Sequence, residues 1–504
     1  MPARRLSPLS VFYRAGETVM RLAWLLVIAT VGSRSMGVPT EVGVGVVAGG
    51  LVLAMVYQFV YWERYEYELT EDTFDIRSGV LSRRTREIPL GRVQNVDLRR
   101  NVLQRALGLA EVSLETAGGS ETEAQLRFVG EAEAQRLRDA VSRRKRGVSG
   151  DSTEPEPEAD LLFAITPREL LILGVTSVDL RLLSLASVFL PVVVPSVTDR
   201  FGDPLVSFAM TAPVAAFALA VVAAVLSGLY SVTNYYGFRL SRTGSELRYE
   251  RGLLQQFAGT IPLEKVQTMA VSENVLARRL GYASLSVETA GYAPGDSSGS
   301  QSAVPLAERD RVFRLARSID SFGEPDWQRP PGRARTRYVV RYVAAVLVLT
   351  GIAYAVDRFT GFSYAWYLVL LGVPLAPVGA HLKWRNLAYA VCEDHVLTRA
   401  GFWSRETRVV PFYRIQTVVH SQSVFQRRRR LATVLIDTAG GGGITGSDAR
   451  AVDIDADAAA ELRETVHDRL QDSLDEARAV RRRERLESIT TGGAGSAPDV
   501  SPTD

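Results

Sequence analysis

Three acidic residues each precede a threonine at matching places: Glu115-Thr116 in LETAG, Glu288-Thr289 in VETAG and Asp437-Thr438 in IDTAG. A carboxylate beside a hydroxyl suggests acid–base work, which needs a second carboxylate, a histidine or a nucleophile at fixed spacing. No such partner recurs with the three, so they read as strand-end or turn residues that satisfy backbone donors. The glycine run at 440–443 is followed by no Gly-Lys-Ser/Thr and opens no helix, which excludes a phosphate loop. Cys392 is the only cysteine, so an internal disulfide or cysteine-based metal cluster is excluded. His381, His395, His420 and His467 lack the i,i+4 spacing of a helical metal site. No catalytic residue, cofactor or metal ligand is expected, and the chain reads as a non-enzyme.

The other reactive groups are guanidiniums. Arg83, Arg84 and Arg86 form one cluster, and Arg427, Arg428, Arg429 and Arg430 another. Near a membrane such clusters attract anionic lipid head groups, at roughly 1 kcal/mol per charge. The plainer alternative is a solvated surface of an arginine-rich chain, whose only lysines are at 145, 265 and 383. With a formal net charge of +3, no nucleic-acid partner is expected.

What must position these residues is a chain of 504 residues with strongly uneven hydropathy. Residues 42–62, 205–231 and 359–382 are uncharged or nearly so and long enough to cross a bilayer. Each is preceded by a less perfect apolar stretch, at about 18–36, 182–198 and 338–356. This predicts six spans arranged as three hairpins. The short hairpin loops hold only Arg34, Arg200 and Arg358, so the positive-inside rule places both termini and the large polar segments in the cytoplasm. Intramembrane acids, the usual mark of transport, are missing from the three best spans.

The polar segments are copies of one another. EIPLGRVQNV (87–96) recurs as TIPLEKVQTM (260–269) and VVPFYRIQTV (409–418). Pro89, Pro262 and Pro411 are each followed five residues on by Gln94, Gln267 and Gln416. Seven further on stand Asn101, Asn274 and Ser423, and fifteen beyond those Thr116, Thr289 and Thr438. Alternation and β-branched content predict several short strands per copy, closed by one amphipathic helix. A donor-less Pro belongs at a strand end. The odd spacing of Val93 and Val96 predicts a bulge or bend near Gln94.

The expected organisation is a hairpin at 18–62, a first domain at 65–146 and a linker at 147–165. A hairpin at 166–231, a domain at 234–320, a linker at 321–337, a hairpin at 338–382 and a domain at 386–474 follow. A charged helix and disordered tail fill 475–504.

Paired apolar stretches, IPLxxVQ, an N-x-x-x-R-x-x-G turn and V-x-x-E-T-A-G resemble the YdbS/YdbT-type bacterial pleckstrin-homology proteins, also described as membrane-flanked domains, in their larger, three-repeat YdbT-like form. The resemblance implies a multi-pass α-helical membrane protein bearing three cytosolic α+β domains of pleckstrin-homology type, each an antiparallel barrel or sandwich plus a C-terminal helix. It implies no enzyme activity. It suggests envelope stress or resistance to membrane-active peptides, and a protein partner, a smaller single-repeat relative. The third copy departs from the pattern, with Phe412, Ser423, Arg430 and Asp437 where the others have Leu, Asn, Gly and Glu. If the Asn/Gly turn belongs to a common binding surface, the third copy alters it. The expected function is a membrane scaffold or interaction protein touching membrane lipids and a protein partner. The alternative is a lipid-handling or transport protein using the six-helix bundle.

Overall fold

The structure, a computed structural model, describes residues 3–11, 40–116, 124–145, 159–177, 204–289, 300–360, 366–439 and 448–472, with 13, 14, 17 and 475 besides. In the first repeat β1 (Arg4–Arg5), β2 (Glu66–Leu69), β3 (Thr73–Ser78) and β4 (Arg84–Pro89) form one antiparallel sheet in that order. Alternation buries Tyr67, Leu69, Phe74, Ile76 and Ile88 on one face. Pro89 ends β4, and a single 3-10 turn over Leu90–Arg92 leads into β5 (Val93–Arg100). The register of β5 shifts between Val93 and Asn95, which places a bulge at Gln94. β6 (Leu109–Thr116) and β7 (Ala124–Gly130) follow, then helix α3 (Glu131–Lys145). Val93, Val112, Leu114 and Leu126 meet Leu137 and Val141 of that helix in the same buried cluster as Phe74 and Ile88.

Between β5 and β6 lies a one-turn helix, α2 (Val102–Ala106). Asn101 caps it by accepting from the Gln104 N–H at 2.8 Å, while Gln104 returns a bond to the Asn101 N–H. The other repeats are built alike. Asn274 caps α6 (Val275–Arg279), accepting from Ala277 N–H at 2.7 Å, and Ser423 caps α10 (Val424–Arg427), accepting from Gln426 N–H at 3.3 Å. The Ser of the third copy thus keeps the cap that the Asn provides.

The second repeat contributes β9 (Arg239–Thr243), β10 (Glu246–Arg251), β11 (Gln256–Pro262), β12 (Val266–Asn274), β13 (Tyr282–Thr289) and β14 (Ser300–Glu308). The third contributes β15 (Ala388–Val391), β16 (His395–Ala400), β17 (Ser404–Pro411), β18 (Ile415–Ser421), β19 (Leu431–Thr438) and β20 (Ala449–Asp455). Strand order does not respect the repeats. One sheet runs β7-β6-β5-β11-β10-β9-β8, with β8 at Asp160–Ala164, and another runs β14-β13-β12-β17-β16-β15. The back half of one repeat is therefore hydrogen-bonded to the front half of the next. The chain divides into two compact units, Met1–Lys265 and Val266–Ala290 with Pro294–Asp504, so the boundary falls at the 3-10 turn of the second repeat.

The first strand of every repeat is covered by the segment that precedes it in sequence. Arg4 and Arg5 pair with Tyr67 and Glu66, β8 pairs with β9, and Gln328 bridges Tyr389.

The expectation of a multi-pass α-helical protein with six spans is corrected here. The described residues are dominated by four sheets, and among them three helical stretches are long and apolar enough to cross a membrane: Ala218–Tyr235, Gly332–Phe359 and Trp366–Arg385. The segment expected to open the second hairpin shows why. From 166 it begins with α4 (Pro167–Thr176), ten residues or about 15 Å long, half of a hydrocarbon core of about 30 Å, and β8 precedes it within the expected linker. α4 instead packs across α5 (Pro204–Tyr235), where a side chain at Gly228 would run into the Gly174 carbonyl. The uncharged run 42–62 lies in helix α1 (Thr40–Glu63). The stretches expected at about 18–36 and 182–198, the glycine run at 440–443 and the tail beyond 475 lie outside the described residues.

Candidate functional site

The second-to-third strand turn is alike in all repeats: Gly79-Val80-Leu81-Ser82, Gly252-Leu253-Leu254-Gln255 and Gly401-Phe402-Trp403-Ser404. The glycines have φ of 116°, 107° and 94°, and a Cβ on any of them would collide with the carbonyl oxygen three residues on. Only glycine makes this turn without strain. Its product is an apolar tip pushed outward: Leu81 is 96 % exposed, Leu254 55 % and Trp403 74 %. Equivalent places of the three repeats thus each expose a large apolar side chain.

The second tip is fixed to the end of a candidate membrane helix. Leu253 N–H donates to the Thr233 carbonyl at 2.8 Å and Gly252 N–H to the Tyr236 carbonyl at 2.9 Å. Thr233 belongs to the apolar stretch Ala218–Tyr235. In the first repeat Arg64, the residue after α1, donates to the Val80 carbonyl at 2.9 Å. No sequence reasoning above singled out these tips. The signal was present as Gly followed by two apolar residues at one motif position, three times.

Beside the first tip lies the arginine cluster. Arg84 and Arg86 are on β4, and Arg83 is in the turn before it. A cleft of about 500 Å3 is lined by Arg14, Arg84, Arg86 and Arg127 with one acid, Glu17. A second, of about 560 Å3, is lined by Arg5, Arg64, Arg77, Arg83 and Arg84 with Glu63 and Glu66. Arg84 is common to both. Tyr61 and Tyr65, near the end of α1, share the first cleft, and Arg14 stands 4.8 Å from the centre of the Tyr61 ring. Burial pushes the Tyr65 phenol far above its ordinary range, so it stays neutral there. Clefts rich in guanidinium and poor in carboxylate suit anions held by bidentate hydrogen bonds.

Arg427, Arg428 and Arg430 are exposed, and the group sits against the start of α8 (Gly332–Thr360). Arg333 donates to the Arg430 carbonyl at 3.1 Å and Arg429 to the Arg333 carbonyl at 3.4 Å. The same region hides a carboxylate that sequence reasoning missed. Asp453 is fully buried, at φ of 53°, in the bulge of β20. It accepts from Arg337 at 2.5 and 2.6 Å, from Gln426 at 2.7 Å and from the Tyr338 hydroxyl, which ties the third repeat to the base of α8.

The repeated motif residues stand at the ends and bulges of strands. Pro89, Pro262 and Pro411 end β4, β11 and β17. Register shifts mark Gln94, Gln267 and Gln416 alike. Thr116, Thr289 and Thr438 are buried at the ends of β6, β13 and β19. Glu115 lies opposite Asn95 in the ladder. Glu288 is buried and accepts from Arg408 at 3.0 and 3.2 Å. The charge of Asp437 holds the Asp448 carboxyl above its ordinary value, after burial as the larger cause. Among the described residues no group of His, Cys, Asp and Glu is placed to hold a metal ion.

Residues 22–145, 178–322 and 338–470 match the family model described as Bacterial PH domain. A Bacillus subtilis relative, UPF0699 transmembrane protein YdbT, is 25 % identical over 468 residues, covering 86 % of this chain and 92 % of the relative. A second relative from the same organism, UPF0699 transmembrane protein YdbS, is 27 % identical over 157 residues, 30 % of this chain and 97 % of the relative.

Proposed function

We propose that this chain, which belongs to the bacterial PH domain family, is a non-enzymatic membrane-anchored interaction protein whose three repeats lie against the cytoplasmic face of the bilayer. The observation that carries this reading is the attachment of the Leu253-Leu254 tip to Thr233 at the end of an apolar helix. A tip fixed there sits at the depth of the head groups, where apolar side chains gain by entering the acyl boundary. The arginine clefts of the first repeat and Arg427–Arg430 stand beside helix ends as well, where anionic lipids supply counter-charge. Arginine-rich segments favour the cytoplasmic side. Tethering several such contacts on one chain raises the effective concentration of each further one.

The scaffold role is completed by a protein partner, for which a single-repeat relative is the natural size. The process served, in keeping with the family resemblance, is envelope stress or defence against membrane-active peptides. A deletion strain should then be more sensitive to such peptides, and unchanged survival would remove that assignment.

The direct test uses full-length protein, Cys392→Ser and Leu254→Cys, labelled with an environment-sensitive fluorophore in bilayers. A blue-shifted emission quenched by brominated acyl chains is expected. Water-like emission insensitive to those lipids would sink the membrane-contact reading.

A further inference from the structure

Two joints between repeats are made the same way. In the first, β5 pairs with β11, with Arg100 opposite Gln256, Arg99 opposite Phe257 and Leu98 opposite Ala258. In the second, β12 pairs with β17, with Glu273 opposite Arg405, Ser272 opposite Glu406 and Val271 opposite Thr407. Counted from the motif, residue six after the Gln always faces residue six before the Pro. The two joints therefore share one register.

Both are held by side chains as well as backbone. Arg100 donates to Gln256 at 2.7 Å. Glu273, only 1 % exposed at its side chain, accepts from Arg405 at 2.7 and 2.9 Å. Arg408 reaches across β12 to Glu288 on β13. Strand β4 is the counterpart of β11 and β17, and β18 is the counterpart of β5 and β12. Yet β4 and β18 are terminal strands of their sheets, and among the described residues nothing pairs with their outer edges.

Burial follows this difference. Thr407, Arg408 and Val409 are buried in the joint, whereas Thr85, Arg86 and Glu87 at the same positions of β4 are exposed. β12 is buried almost throughout, whereas Gln416, Thr417, Val419, His420 and Ser421 of β18 are exposed. An uncharged, proline-free edge such as QTVVHS is one that proteins normally cover or blunt. Arg83 and Arg86 are no blunting device, because Arg405 and Arg408 stand at the same positions of the third repeat and close its joint.

We propose that the outer edge of β18 pairs with the outer edge of β4 in a second copy of this chain, making a third joint of the same register and joining copies head to tail. The chain itself carries both halves of the joint, which is why the occupant is a second copy. The register places Ser421 opposite Arg84, His420 opposite Thr85 and Val419 opposite Arg86. Arg86 then takes the place of Arg408, and Asp437, the counterpart of Glu288, receives it. Such a contact is heterologous, so it propagates or closes into a ring. It is strand addition, with main-chain bonds supplying affinity and the charge pair the register. This inference rests on the interaction reading and adds to its protein partner a contact between copies of the chain itself; it does not depend on the bilayer contact of the tips, which the fluorescence test reads separately.

The test co-expresses two differently tagged full-length copies, both Cys392→Ser, one with Arg84→Cys and the other with Ser421→Cys. Mild oxidation should link the two tags in a disulfide several times more efficiently than the shifted pair Arg84→Cys with Val419→Cys. Arg86→Asp in the first copy should reduce that yield several-fold, and Asp437→Arg in the second should restore it. Equal yields from matched and shifted pairs, or no link between tags, would overturn the proposal. So would a link found only within single chains carrying both cysteines, or an edge occupied solely by another protein.

Discussion

Arg430 holds φ of 52° where Gly108 and Gly281 hold 65° and 79° in the other repeats. A side chain in that region costs roughly 1–2 kcal/mol. Its carbonyl accepts from Arg333 and from the Ala456 N–H, and these backbone bonds need no side chain. Arg430→Gly is therefore expected to stabilise the third repeat by about 1 kcal/mol, read as a higher melting temperature of the full chain in detergent. Asp448 offers a pH-dependent test. Burial, then Asp437, holds its carboxyl above the ordinary value, so the folded chain binds this proton more tightly than the unfolded chain. Its contribution to stability is full below the ordinary Asp range and is lost as pH rises through that range into the raised one. Asp448→Asn should melt higher than the parent at neutral pH and equally with it near about pH 3. A difference that persists at the acid end would show that charge is not the cause.

At the scale of elements, the local grammar was legible. Pro89 at a strand end, a bulge at Gln94 and a one-turn helix before Gly108 are set by donors, spacing and capping within a few residues. Joints between repeats were not, because Glu273 and Arg405 are far apart in sequence and nothing local to either reports the other. The same holds for Asp453, which reads as one acid among many until Arg337, Tyr338 and Gln426 are brought to it. The opening of the second hairpin, expected from 166, was over-read for a different reason: an apolar run there forms a helix of only ten residues, packed on α5. Removing Asp453 should show how firmly the third repeat is tied to α8. Asp453→Ala leaves Arg337 without its buried partner and is expected to cost about 3 kcal/mol, measured by thermal unfolding of the full chain. A loss below about 0.5 kcal/mol would mean that the hub does not hold the two elements together.

For the whole molecule, the strands that cover each repeat's first edge set a rule of parity. The chain leaves the sheet at Gln328 and returns to it at Tyr389, having passed through both Gly332–Phe359 and Trp366–Arg385. Cysteines placed at Asp326 and Glu393 in the Cys392→Ser background should therefore react with an impermeant maleimide from one side, and one at Phe359 from the other. Reaction of Asp326→Cys and Glu393→Cys from opposite sides would contradict the pairing of Gln328 with Tyr389. The same bookkeeping applies between Arg5 and Glu66 and between Ala164 and Arg239. A two-residue strand ahead of α1 thus acts as a fastener: it holds Arg4 and Arg5 on the same sheet as Tyr67 and Glu66, so both ends of the chain between them stay on one side of that sheet's surroundings.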